Sequence, residues 1–267
     1  MKERVLSGLL MAPLLVIVFL GGKVLLAGCF LIGIMGVREF FNGFKKMGIN
    51  PSHLIAYVSA AALYAVNIYA LQINIYELHE KLYMLWFSGV VTASLLYLFN
   101  VEKRKLEDGA ATITGIFYVI FLSYHVTLTE QIDGYSIMVW LILLTAFGTD
   151  IMAYFTGYAI GKHKLCPSIS PKKTIEGSIG GILGSVILCG LFGYFFVYGI
   201  FIHCIIIGAL GGVVSQFGDL TASIFKRKMG IKDYGNLIPG HGGILDRFDS
   251  VLFTAPMVYY YIIIVLV

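Results

Sequence analysis

The sequence predicts an all-α protein, a polytopic integral membrane bundle of about nine transmembrane helices. Three observations predict it. Of 267 residues, 58% are hydrophobic and 13% charged, whereas a soluble domain is nearer half apolar and a quarter charged. The apolar residues fall in long charge-free runs, and the basic residues concentrate in every second segment between those runs. This composition excludes a soluble globular protein, a disordered chain, a disulfide scaffold and a protein held by one membrane anchor.

A helix crossing the hydrocarbon needs about 20 mostly apolar residues. Val5–Gly22 is the first run, and Val24–Val37 follows a lone Lys23. His53–Leu71, Leu82–Phe99 and Ala110–Leu128 come next, then Ser136–Ile160, interrupted by Asp150. Gly177–Gly218 runs 42 residues with His203 as its sole potential charge, which suits two crossings joined near Tyr198–His203. Phe248–Val267 is the last. Backbone groups in lipid must pair within their own segment, so the runs are helices. Barrel strands would alternate polar and apolar residues instead. The expectation is one membrane domain over 1–267, with 1–135 mainly scaffold and 136–267 the catalytic half.

Lys and Arg in the connecting segments set the orientation. With the amino terminus inside, 17 of the 19 basic residues lie in inner segments, and Lys23 and Lys81 lie outside. This split predicts a cytoplasmic amino terminus and an outer carboxyl terminus. Some features read as ordinary. Leu26-Ala27-Gly28-Cys29 matches a lipoprotein cleavage box, but Phe30-Leu31-Ile32 continues the apolar stretch, so Cys29 is expected within a helix. Cys29, Cys166, Cys189 and Cys204 have no short spacing and read as buried thiols rather than a zinc or redox site. His53, His79, His125, His163 and His203 are scattered without ligand spacing. Arg38-Glu39 and Lys45-Lys46 read as anchors at the inner surface.

From Asp150 onward the pattern changes. A carboxylate inside an apolar span costs on the order of 2.5–3.5 kcal/mol on insertion scales, so such residues face a cavity or a partner. The pairs Gly157/Gly161, Gly177/Gly181 and Gly180/Gly184 have the four-residue spacing of closely packed helices. In Ser168–Gly177, Pro171 breaks helix, Thr174 suits an N-cap, and Lys172 and Lys173 offer charge to phosphate. The densest stretch runs from Asp219 to Asp249. Asp219, Ser223 and Lys226 share one helical face. Asp246 and Asp249, three apart at the start of the last span, should share another. Paired carboxylates of this kind suit a hard cation such as Mg²⁺, with room for a second cation. Neighbouring Lys and Arg add donors for phosphate.

The stretch from Ser223-Ile-Phe-Lys226-Arg227 through Lys232-Asp233-Tyr-Gly235-Asn-Leu-Ile-Pro239-Gly-His241-Gly242-Gly243-Ile-Leu-Asp246-Arg247-Phe-Asp249 resembles the signature of the phosphatidate cytidylyltransferases, or CDP-diacylglycerol synthases, over 27 residues without a departure. The Ser170–Gly177 loop, Asp150 and Asp219 resemble family features less specifically. The resemblance implies transfer of the cytidylyl group of CTP to phosphatidate with Mg²⁺, at the inner face of a bacterial plasma membrane. It implies that Asp219, Asp246 and Asp249 hold metal, and that Lys226, Arg227, Lys232 and Arg247 neutralise phosphates, with Lys172 and Lys173 contributing from their loop. Asp219, Lys226, Asp246, Arg247 and Asp249 are the expected catalytic set. Ser223, His241, Gly242 and Gly243 are expected to shape the substrate pocket. Membrane lipids are the expected surroundings, small-residue helix faces leave room for a homodimer, and no nucleic-acid partner is expected. Two rivals differ in chemistry. A CDP-alcohol phosphotransferase would carry a longer aspartate-rich motif, of which Asp246-x-x-Asp249 is a fragment. A cation-coupled transporter would use Asp150 and Asp219 as ion ligands and show inverted repeats.

Overall fold

A computed structural model describes residues 15–73, 76–237 and 242–267. They group into two compact units, one drawn from Met1–Tyr124 with Met229–Asp246 and the other from His125–Lys228 with Arg247–Val267.

In the first unit, α1 is described over residues 15–20 and α2 spans Gly22–Lys45. Gly21 and Gly22 adopt left-handed backbone (φ 60° and 50°), which breaks the helix just before Lys23. Most of the expected first span, Val5–Gly22, lies outside the described residues. Then come α3 (His53–Ile73), α4 (Tyr76–Leu96) and α5 (Leu106–Gly115). A π-helical stretch, Ile116–Phe121, carries α5 into α6 (Leu122–Glu130), whose last residues belong to the second unit. Cys29 lies buried within α2, as a helix residue should.

Aromatic side chains fill this unit. Phe40 and Phe41 are fully buried. The Phe40 ring lies 5.1 Å from Phe44, 5.2 Å from Tyr118 and 5.9 Å from Tyr234. Trp86 packs on Phe117 and Phe121 and donates its indole N–H to the Ser59 carbonyl at 2.8 Å. Tyr83 and Tyr124 share a hydroxyl hydrogen bond of 2.7 Å. Interhelical bonds of this kind contribute about 1 kcal/mol each in a bilayer. At the polar end, buried Asp108 accepts the Asn50 amide at 2.6 Å and the Lys105 amide at 3.0 Å, tying two connecting segments to the start of α5.

The second unit contains α7 (Val139–Ile160), strands β1 (Lys164–Cys166) and β2 (Ser170–Thr174), α8 (Ile175–Phe196) and α9 (Phe201–Lys228). α10 (Leu245–Phe248) begins in the first unit and ends in the second, and α11 (Val251–Tyr261) runs into a final π turn, Ile262–Leu266. The long Gly177–Gly218 run divides as expected. α8 ends at Phe196, a 3₁₀ turn occupies Tyr198–Ile200 and α9 follows.

Glycines, rather than aromatics, set the spacing here. A Cβ on Gly177 would lie 2.8 Å from the Ala153 carbonyl oxygen and 3.2 Å from the Gly157 Cα. One on Gly181 would lie 2.9 Å from the Thr149 carbonyl oxygen. On α9, Gly208 and Gly212 press on the α8 backbone in the same way. Lipid tails are as apolar as leucine, so helices in a bilayer gain by close packing instead of by expelling water. The sequence pairs Gly157/Gly161 and Gly177/Gly181 thus mark the α7–α8 crossing.

Among the described residues, six helical stretches are long and apolar enough to cross a membrane: Gly22–Lys45, Lys81–Phe99, Leu106–Glu130, Ser136–Ile160, Ile175–Phe196 and Tyr198–Lys228. His53–Ile68 and Val251–Leu266 are apolar but shorter. The molecule is an all-α integral membrane protein, with the β1–β2 hairpin the one strand pair among the described residues.

Candidate active site

The β1–β2 hairpin folds the basic segment after α7 back on itself. β1 and β2 pair antiparallel, Lys164 opposite Thr174 and Cys166 opposite Ser170. Thr174 then caps α8, its hydroxyl oxygen accepting the Gly177 amide at 3.1 Å. Glu176, in the first turn of α8, accepts the Lys162 amide at 3.1 Å and the His163 amide at 3.2 Å, and pairs with the His163 ring at 2.6 Å. At the tip, the Arg227 guanidinium on α9 donates to the Ile169 carbonyl at 3.2 Å. Arg227 is exposed and serves as a latch on the hairpin, a contact that the sequence did not suggest. Cys166, on β1, is half-exposed and departs from the buried-thiol expectation.

Behind this hairpin the second unit holds a cavity of about 480 Å³. Lys164, Lys172 and Lys173 line it from the hairpin, and Asp150, Ser178, Gln216 and Asp219 from the three helices. Tyr154, Tyr158 and Leu165 give it an apolar flank. Asp150, in the middle of α7, is exposed because it opens onto this space. Lys173 pairs directly with Asp219. Gln216 is buried and fully engaged. Its amide nitrogen donates to the Ser178 carbonyl at 3.2 Å and the Gly212 carbonyl at 3.0 Å, while its oxygen accepts the Ser178 hydroxyl.

A third carboxylate joins the group. Gly218 on α9 packs so closely on the turn after α10 that a Cβ there would lie 2.9 Å from the Asp249 carbonyl oxygen. Asp249 is therefore a near neighbour of the Asp219 helix and is buried. Asp150, Asp219 and Asp249 repel one another electrostatically, and Lys173, Lys226 and Arg247 offset that repulsion. Ser250 donates its amide to Asp249 at 2.8 Å and its hydroxyl to Asp150 at 3.3 Å. Ser223 and Lys226 are half-buried on α9, one and two turns beyond Asp219.

Asp246 is held within the first unit. Its Oδ2 accepts the Tyr234 amide at 2.8 Å and the Gly243 amide at 2.9 Å. Gly242 adopts φ +82°, and a Cβ there would lie 2.7 Å from the same oxygen, so both backbone and space require glycine. Lys232 is exposed on the same loop. His241 falls outside the described residues.

One expectation changes. Asp246 and Asp249 do not share the face of one continuous helix, because α10 stops at Phe248 and Asp249 sits in the following turn. Among the described residues no three His, Cys, Asp or Glu side chains are grouped to hold a metal ion. The donor chemistry around Asp219 nonetheless fits a hard divalent cation, since hard carboxylate oxygens that repel one another gain most from such a charge.

Lys164, Ser178, Gln216, Ser250 and Glu39 were missed by sequence reasoning. Ser178 and Gln216 are neutral residues inside apolar runs and carry no charge signal. Glu39 accepts the Ile244 amide at 3.0 Å and the Leu245 amide at 2.9 Å across some 200 residues of sequence.

A cavity lined by both lysines and aspartates in an apolar helical bundle suits a polytopic membrane enzyme that acts on anionic substrates. The family model described as "Cytidylyltransferase family" matches residues 2–265, and the chain belongs to that family. The chain is 33% identical to a phosphatidate cytidylyltransferase of Synechocystis, over 99% of this chain and 97% of the relative. It is 31% identical to proteins of that name from Bacillus subtilis, over 97% of each chain, and from Thermotoga maritima, over 97% of this chain and 95% of the relative.

Proposed function

We infer that the protein transfers the cytidylyl group of CTP to phosphatidate, giving CDP-diacylglycerol and pyrophosphate for phospholipid synthesis. The observation that carries this reading is the cavity lined by Lys164, Lys172, Lys173, Asp150 and Asp219 in a cytidylyltransferase-family chain. A phosphate oxygen of phosphatidate forms a bond to the α-phosphorus of CTP. The bond from that phosphorus to the oxygen bridging to the β-phosphorus breaks, and its electron pair leaves with pyrophosphate. The attacking oxygen is already anionic, so no strong general base is required. The barrier lies in bringing two polyanions together and stabilising the leaving group, which is a matter of positioning and fixed positive charge.

In this reading Lys164, Lys172 and Lys173 receive the phosphates. Lys173 is poised for this because Asp219 already holds its ammonium at the cavity. Lys226 and Arg247, which act electrostatically on Asp249 and Asp150, keep the acidic floor from repelling the nucleotide. Tyr154 and Tyr158 line the cavity beside the lysines and are exposed. That pairing suits an amphiphile with a phosphate headgroup. Asp219 and Asp249 would hold Mg²⁺, and Asp246, in the first unit, is proposed to serve as a cation ligand as well. When bound, the cation supplies charge stabilisation to the phosphoryl oxygens. The positive-inside pattern supports a cytoplasmic site and amino terminus, in a bacterial plasma membrane.

The test is an assay of purified protein in detergent with labelled CTP and phosphatidate, with and without Mg²⁺. The expected result is equimolar CDP-diacylglycerol and pyrophosphate, only with the divalent cation. Release of CMP from a CDP-lipid would instead identify a phosphotransferase, and solute flux in liposomes without nucleotide turnover a transporter.

A further inference from the structure

α2 belongs to the stretch that composition marks as scaffold, yet its Glu39 reaches the most charge-dense loop of the chain. The two oxygens divide the work. Oε1 accepts the Ile244 amide at 3.0 Å and Oε2 the Leu245 amide at 2.9 Å. Both amides lie at the start of α10, where backbone donors have no partner inside a helix. α10 has only four residues, so this cap comprises much of its support.

The same carboxylate is enclosed by two glycines. A Cβ on Gly235 would lie 2.6 Å from Glu39 Oε1, and one on Gly243 would collide with the carboxylate outright. Gly235 and Gly243 also touch, since a Cβ on the first would lie 3.2 Å from the Cα of the second. Asp246 grips the adjoining residues, with its Oδ2 accepting the Tyr234 and Gly243 amides. The two flanks of the loop, Tyr234–Gly235 and Gly243–Asp246, are thus clasped by two carboxylates. These carboxylates repel each other, and Glu39 is half-buried. A cap wanted only for stability could come from a nearby Ser or Asn without either cost.

We propose that Glu39 is a positioning residue for Asp246, clamping the first turn of α10 so that the Asp246 carboxylate keeps one orientation during cytidylyl transfer. The inference rests on the reading that Asp246 serves that reaction. Glu39→Gln keeps the shape but turns one acceptor into a donor facing a backbone donor. Gly235→Ala disturbs the clasp from the opposite side.

The experiment compares full-length wild type with Glu39→Gln, Glu39→Ala, Gly235→Ala and the Glu39→Ala/Gly235→Ala double variant. It measures kcat and KM for both substrates by pyrophosphate release, together with amide hydrogen exchange over residues 233–246. Glu39→Gln is expected to lower kcat by about tenfold or more, as misplacement of a reacting group does, with each KM within about twofold and faster exchange at Ile244 and Leu245. Gly235→Ala is expected to cost turnover in the wild type and much less beside Glu39→Ala, where the added methyl has room. Faster exchange with unchanged kcat would overturn the proposal, leaving Glu39 a structural cap alone. Unchanged exchange would overturn it too, because the clasp would be absent in solution. Wild type that releases no pyrophosphate overturns the substrate reading beneath the inference, and the wild-type assay alone reveals it.

Discussion

The two units solve the same packing problem in opposite ways. The first fills space, with Phe40, Phe41 and Trp86 buried among further rings. The second removes it, with Gly157, Gly177, Gly181 and Gly212 letting backbones approach until no side chain fits between them. Backbone-to-backbone contact draws α7, α8 and α9 together over part of their length, and elsewhere polar side chains line the space that remains. The charged cavity lies in the glycine-packed unit, beside the α7–α8 contact at Gly157 and Gly177, both of which line it. Close helix packing and a polar cavity are therefore two results of one sequence pattern.

This contrast can be broken at several points. The largest effect is expected on chemistry. Asp219→Asn should lower pyrophosphate release by on the order of 10³-fold while the protein stays inserted and folded, because it removes a carboxylate proposed to hold the cation and the partner that fixes Lys173 at the cavity. Near-normal turnover would remove Asp219 from the site. Next come the packing tests. The aromatic unit should fail by deletion, so Trp86→Ala should cost about 3 kcal/mol, seen as a lower midpoint of thermal unfolding in detergent. The glycine unit should fail by addition. Gly181→Val, whose first added carbon would meet the Thr149 carbonyl, should cost about 1–3 kcal/mol and also reduce turnover. If Gly181→Val were neutral, the close α7–α8 approach would be wrong. The smallest effect is expected at Arg227. Its replacement by Ala frees the hairpin tip from α9 and should raise the KM for CTP by about threefold, in line with loss of a single exposed hydrogen bond. A far larger rise would mean that Arg227 binds the nucleotide itself.

Much of the second unit was legible before any coordinates. Asp219 stood out because charge within an apolar run is costly, and Lys173 because its loop offers charge to phosphate, and the structure pairs them. Thr174 announced the α8 cap by its place after Pro171. Gly177–Gly218 announced two helices by its length alone. What escaped detection was relational. Nothing local marks Glu39 as the partner of Ile244 and Leu245, because their contact depends on how α2 packs, and beside Arg38 the residue reads as a helix end at the membrane surface. Ser178 and Gln216 bond to each other across two helices, but each alone is a neutral side chain in an apolar run. The β1–β2 hairpin was hidden because Ser168–Gly177 carries turn and charge signals without alternating hydrophobicity. The break between Asp246 and Asp249 was hidden because a three-residue spacing looks the same whether or not the helix continues.

The claim that CTP enters the cavity of the second unit can be tested by chemical protection. Ser178 lines that cavity, and Cys29, Cys189 and Cys204 are buried, so a Ser178→Cys protein carrying Cys166→Ser presents one reactive thiol among the described residues. CTP with Mg²⁺ should slow its modification by a water-soluble maleimide, approaching tenfold when the nucleotide is about ten times its dissociation constant. An unchanged rate of modification, in protein that still converts CTP to pyrophosphate, would contradict the account.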